Sequence, residues 1–233
     1  MKVVNKSRAR AEAQAAAILR ERLAERADRA GHATIGVPGG RSVAGVLEAL
    51  AGSDAPFDAV DLFFVDERCV PLESEESNFG VVRDALLDPL AGRKAAPPAD
   101  RIHPFICAEG DADLGVGAYE AEFRRAATHL DIALLGVGED GHIASLFPGR
   151  PELTETSRLF VPIEGAPKPP PQRMSASPAL LTARETLVVL LFFGEGKRNA
   201  LKAFVSKEGS PTECPARLVK DMPDLWVFTD IGA

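Results

Sequence analysis

Asp131-Ile132-Ala133-Leu134-Leu135-Gly136-Val137-Gly138-Glu139-Asp140-Gly141-His142 is the stretch on which the reading of this chain turns. It opens nearly continuous in apolar residues, as a strand covered on both faces must be, and ends in a glycine-lined loop holding two acids and a histidine. Working outward, Ala33–Val37, Val60–Val65 and Leu187–Phe193 have the same unalternating character, and Leu225–Thr229 is a further strand candidate. Helical spacing lies between them. Ser7–Ala30 places Ala16, Leu19, Leu23, Ala27 and Ala30 on one face, with Gly31 where a C-cap glycine belongs. Val43, Val46, Leu47 and Leu50 form a second stripe, and the spacing predicts helices over 79–90, 113–129 and 197–205. Strands of this type alternating with helices specify an α/β fold with a mostly parallel sheet flanked by helices. No repeat or linker divides the chain, so 1–233 reads as one domain. Two proline-bearing loops are expected, Gly92–Asp100 and Glu164–Pro178.

Composition narrows the function. The 233 residues are 45% hydrophobic and 26% charged, which excludes disordered and fibrous classes. Lys plus Arg number 27 against 34 Asp plus Glu, a net charge of -7 that weighs against a nucleic-acid partner. A small anionic substrate remains open, because a few cations can dominate inside a cleft. Cys69, Cys107 and Cys214 are odd in number and widely spaced, and read as reduced thiols rather than a disulfide framework or zinc site. The N-terminal segment lacks a signal-peptide apolar region, and Leu187–Phe193 is far too short to span a bilayer. No membrane association is expected, and the location expected is cytoplasmic.

Open α/β sheets bind ligands beyond the C-terminal ends of their strands, and three polar segments here follow three predicted strands. Pro38-Gly39-Gly40-Arg41-Ser42 offers close backbone approach, helix N–H groups and a cation to a phosphate, though it also fits a tight turn with Ser42 as N-cap. Asp66-Glu67-Arg68 ends an apolar strand. In extended conformation Asp66 and Arg68 share a side opposite Glu67, as an anion site or equally a structural ion pair. The third segment contains a literal GxGxxG at Gly136, Gly138 and Gly141, but Pro148-Gly149 leaves room for barely one helical turn after it. A dinucleotide site is therefore rejected. The loop instead presents His142 as a general base, with Asp140 two residues away to influence its tautomer or charge. A metal held by Asp140, His142 and Asp66 would lack a second histidine or a cysteine cluster, so none is expected.

These residues resemble the 6-phosphogluconolactonases. The resemblance rests on Gly39-Gly40-Arg41, on Val65-Asp66-Glu67-Arg68 with Val70-Pro71 and Ser77-Asn78-Phe79, and on the run from Leu135 through Gly138-Glu139-Asp140-Gly141-His142 to Ser145-Leu146-Phe147-Pro148-Gly149. Lys168-Pro169-Pro170-Pro171-Gln172-Arg173-Met174-Ser175 and Gly194-Glu195-Gly196-Lys197 complete it. Pro38 stands where the family usually has serine, and Ala176 where it has a bulkier residue. The resemblance implies a Rossmann-like α/β fold shared with glucosamine-6-phosphate deaminase. The activity it implies is hydrolysis of 6-phospho-D-glucono-1,5-lactone, with no cofactor or metal and with this sugar-phosphate lactone as the small-molecule partner. His142, Asp140 and Asp66 are the catalytic candidates. Gly39, Gly40, Arg41, Arg68, Arg173 and Lys197 are the phosphate-binding ones. Deamination of glucosamine 6-phosphate is the nearest alternative, but the deaminase's catalytic Glu would fall at Phe147, which cannot relay a proton. A non-catalytic sugar-phosphate sensor is the other alternative, and a transcription regulator of that kind would need a helix-turn-helix region that is not evident here.

Overall fold

The computed structural model describes residues 1–93 and 95–232. Seven strands form one all-parallel sheet: β1 (Lys2–Asn5), β2 (Ala33–Val37), β3 (Val60–Phe64), β5 (Ile102–His103), β6 (Ile132–Gly136), β9 (Leu187–Phe192) and β10 (Leu225–Thr229). Their spatial order is β1-β10-β9-β6-β2-β3-β5. From the neighbouring pair β2 and β6 the chain winds outward in opposite directions, so the topological switch point lies between those two strands. Every residue of β2, β3 and β9 is buried, which is why their sequences show no alternation. β1 has only Val4 buried and sits at the sheet edge, and so short a signal does not mark a strand in sequence.

The long helix α1 (Arg8–Ala30) ends at Gly31 in the left-handed conformation, φ 78°, as its sequence predicts. Its buried stripe is Ala11, Ala15, Ala16, Leu19 and Leu23; the expected Ala27 and Ala30 lie beyond the packed part. α1 packs on α2 (Ala44–Ala51) and on the sheet. The expected 79–90 helix is α3 (Asn78–Val82) and α4 (Asp88–Gly92), joined by a π-turn over Arg83–Leu87. α5 (Val116–Ala126) starts later than predicted because Leu114 and Gly115 both take positive φ. α7 (Arg198–Val205) follows a 3-10 turn at Glu195–Lys197. No helix among the described residues is long and apolar enough to cross a membrane.

Two expectations are corrected. The Glu164–Pro178 stretch is not wholly a loop: it holds β8 (Arg173–Ala176) and ends where the short α6 (Pro178–Leu181) begins. β8 pairs antiparallel with β4 (Asp66–Arg68) and β7 (Phe160–Ile163) in a separate three-stranded sheet. Four residues flanked by prolines carry no periodicity, and pairing with distant segments, such as Glu67 with Met174, defines the strand. The cysteines are not all reduced thiols either. Cys69 and Cys107 form a disulfide, Cα–Cα 5.1 Å, while Cys214 is free and buried. Spacing in sequence could not reveal this pair, because β4 and the segment after β5 meet only in the folded chain.

Candidate active site

The loops leaving β2, β3, β6 and β9 converge on a cleft of ≈ 500 Å³ at the switch point. After β2, Gly40 takes φ 91° and the turn closes through Val43 N–H to Gly40 O at 3.2 Å. The N–H groups of Gly39, Gly40, Arg41 and Ser42 donate no hydrogen bond among the described residues, and all four residues line the cleft. The N-cap of α2 is Val43, not Ser42, so the serine is not spent on the helix. Arg8, at the start of α1, supports the turn by donating to Arg41 O and Ser42 O, with its guanidinium 4.2 Å from the Phe193 ring centroid.

After β6, the GxGxxG segment makes no helix at all. Val137 bridges Ile143, Gly138 N–H donates to His142 O at 2.8 Å, and Ala216 N–H donates to Gly141 O at 2.9 Å. This hairpin holds His142 Nδ1 2.5 Å from Asp140 Oδ1. A Cβ at Gly138 would occupy the space of that pair, so glycine is required there by close approach. Burial pushes the Asp140 carboxyl upward, but the hydrogen bond and charge of His142 outweigh it and hold the carboxyl well below its ordinary range. An ionised Asp140 accepts the Nδ1 proton and leaves Nε2 as the acceptor. The Phe147 ring lies 4.7 Å from the imidazole centroid and closes one side of it.

β4 supplies the opposite wall. Asp66 is buried and accepts from Ser145 Oγ at 2.8 Å, and Ser145 N–H donates to Ser175 Oγ at 3.1 Å. Asp66 and Arg68 line the cleft while Glu67 points away, as the extended alternation predicted. Glu67 accepts from the N–H groups of Arg68, Asn78 and Phe79, each at 2.7 Å, and from Ser77 Oγ at 2.9 Å. Burial nevertheless pushes its carboxyl above the usual range.

All nine residues expected from sequence are accounted for: Gly39, Gly40, Arg41, Asp66, Arg68, His142, Arg173 and Lys197 line the cleft, and Asp140 stands behind His142. Arg173 is more committed than expected. It is buried and donates through Nε to Pro170 O and through Nη2 to Lys168 O and Pro169 O, so it holds the loop that carries Lys168. Lys197 Nζ donates to Val137 O, and burial lowers the ammonium below its ordinary range. Sequence reasoning missed Arg8 and Lys168 as site cations. Arg8 reads as an ordinary first-turn residue, whereas the prolines beside Lys168 were a usable signal. Six cations thus face the cleft against Asp66 and Glu139, in a chain of net charge -7. Among the described residues no group of three or more His, Cys, Asp or Glu is arranged to hold a metal ion.

Fold and site together define an α/β protein with a cation-lined cleft at the sheet's switch point and a carboxylate-held imidazole beside it. The chain belongs to the family of glucosamine-6-phosphate isomerases/6-phosphogluconolactonase, matched over residues 6–226. It is 38% identical over 243 aligned residues to the 6-phosphogluconolactonase of Streptomyces coelicolor, covering 96% of this chain and 89% of that one. The 6-phosphogluconolactonase of Borreliella burgdorferi is 36% identical over 210 residues, covering 88% and 86%. Among solved structures, a 6-phosphogluconolactonase from Shewanella baltica superposes with TM-score 0.82 at 25% identity, covering 98% and 96%. A monomeric glucosamine-6-phosphate deaminase superposes with TM-score 0.77 at 20% identity and shares the fold.

Proposed function

We propose that this chain hydrolyses 6-phospho-D-glucono-1,5-lactone to 6-phospho-D-gluconate, the second step of the oxidative pentose phosphate pathway, by general-base activation of water. The observation that carries the reading is the Asp140-held imidazole facing a cleft of six cations. The substrate phosphate rests on the amides of Gly39–Ser42 with Arg41, Arg68 and Lys197, and Lys168 and Arg173 add to the field. Nε2 of His142 takes a proton from water as its oxygen attacks the lactone carbonyl. The imidazolium so formed is stabilised by Asp140 and returns the proton to the ring oxygen as the C–O bond breaks. Asp66 spends one carboxylate oxygen on Ser145 and offers the other to the sugar. A lactone is already an activated ester, so the mechanism invokes no metal or cofactor. The substrate is a charged sugar phosphate that bilayers retain, which fits a cytoplasmic location.

Deamination is disfavoured by Phe147, an apolar ring beside the imidazole where an acid would be needed. Lactone hydrolysis and glucosamine-6-phosphate deamination measured side by side decide between the two. We expect only the former, and expect His142→Ala to reduce it by about 10²- to 10⁴-fold above the spontaneous rate. Near-native kcat in that variant, or deamination by the parent, would overturn the reading.

A further inference from the structure

Asn78 sits between the two walls of the cleft and belongs to neither. It is 1% exposed, and its Nδ2 donates to Asp66 O at 2.7 Å. Its own N–H is held by Glu67, so the residue is fixed at both backbone and side chain. Its Oδ1 is buried with no hydrogen-bond partner among the described residues. An unmatched buried acceptor costs free energy and calls for a reason. The same oxygen lies against Gly39. A Cβ built on Gly39 would overlap Oδ1, Cγ and Cβ of Asn78. Gly39 is not among the positive-φ glycines, so it is a glycine for space rather than for backbone conformation.

We infer that Asn78 is a positioning residue for the phosphate site, a spacer that sets the distance between the Gly39–Ser42 amides and the Asp66–Arg68 wall. Beyond Val65 N–H to Val37 O at 3.0 Å, no main-chain hydrogen bond among the described residues joins these two segments. They leave adjacent strands β2 and β3, and the side chain that ties to Asp66 while abutting Gly39 is Asn78. A phosphate gripped from both sides tolerates little change in that distance, since small misplacements of binding groups are costly. The inference rests on the proposed function for the identity of the anion but not for the packing.

The test is a double-mutant cycle of Gly39→Ala and Asn78→Ala, with Asn78→Asp as a control that keeps the volume. kcat/KM is read on 6-phosphogluconolactone and on unphosphorylated gluconolactone, and melting is followed with and without inorganic phosphate. Gly39→Ala should lower the phosphorylated value by about tenfold or more, and adding Asn78→Ala should recover most of a tenfold factor, since residues in contact couple at this scale. Asn78→Asp should recover nothing. Asn78→Ala alone introduces no clash and should still lower the ratio of phosphorylated to unphosphorylated kcat/KM several-fold. Losses that simply multiply, equal rescue by Asn78→Asp, or an unchanged ratio in a natively melting Asn78→Ala would each overturn the spacer. If the parent hydrolyses neither lactone, the functional reading fails separately, and stabilisation by inorganic phosphate decides the cycle: present in parent and double variant, lost in Gly39→Ala. Stabilisation that survives in Gly39→Ala would overturn the spacer on this readout too.

Discussion

In the proposed mechanism Asp140 acts through His142 without touching a reacting atom. Its carboxylate is held below its ordinary value of 3.8 by the imidazole it supports, which makes it an anion at neutral pH. The linkage runs one way. A carboxyl depressed on folding contributes stability that is fully present above its unfolded value and is lost as pH falls through the folded one. Asp140→Asn should therefore be less stable than the parent at neutral pH, and the gap should close as denaturation is followed from about pH 5 down past the unfolded value. A gap independent of pH would show that the carboxylate charge is not what Asp140 contributes. The pair was legible in sequence because both residues lie within one glycine-rich loop. Its 2.5 Å separation and tautomer were not, since they depend on Ala216 and on the Gly138 N–H that close the hairpin.

Among the elements, β4 is three residues long and would be negligible alone, yet it carries Asp66, Glu67 and Arg68. It is held by β8 along one edge, by Glu67 capping the start of α3, and by the Cys69–Cys107 bond just past its end. That bond closes a loop with a sequence separation of 38. In the chain-entropy account, a cross-link of this span stabilises the oxidised protein by about 2–4 kcal/mol relative to the reduced one. Denaturant unfolding of oxidised and fully reduced protein should differ by that amount, and Cys69→Ser should abolish the difference. Identical midpoints in the two states would remove the disulfide from any account of how β4 is held.

At the scale of the whole molecule, a net acidic chain has gathered six cations at one end of its sheet. They come from the start of α1, from β4 and the start of β8, and from the segments after β2, β7 and β9, so no window of sequence displays them together. Arg68→Ala, Lys168→Ala and Lys197→Ala should each weaken turnover of the phosphorylated lactone on the order of 10-fold or more while leaving slow turnover of unphosphorylated gluconolactone nearly unchanged. Raising ionic strength in the parent should act in the same direction, since steering of an anion is screened. If all three variants keep the parental ratio of the two kcat/KM values and their native melting curves, the cations do not read the phosphate.

Unalternating apolar runs determined the parallel sheet, because burial on both faces leaves a composition that the chain itself displays. The loops after β2, β3 and β6 were likewise readable, since a strand, a glycine turn and a charge stand next to one another in sequence. Tertiary structure alone decided the rest. The three-stranded sheet exists only through the pairing of β4 and β7 with β8, and the disulfide through the meeting of two distant segments. Arg8 and Lys168 became part of the site because helix and loop packing carried them there, and Asn78 met Gly39 because β2 and β3 lie side by side. Local patterning records which face of an element is buried. It does not record which other element arrives against that face, and the spacing and charge of this cleft are set by those arrivals.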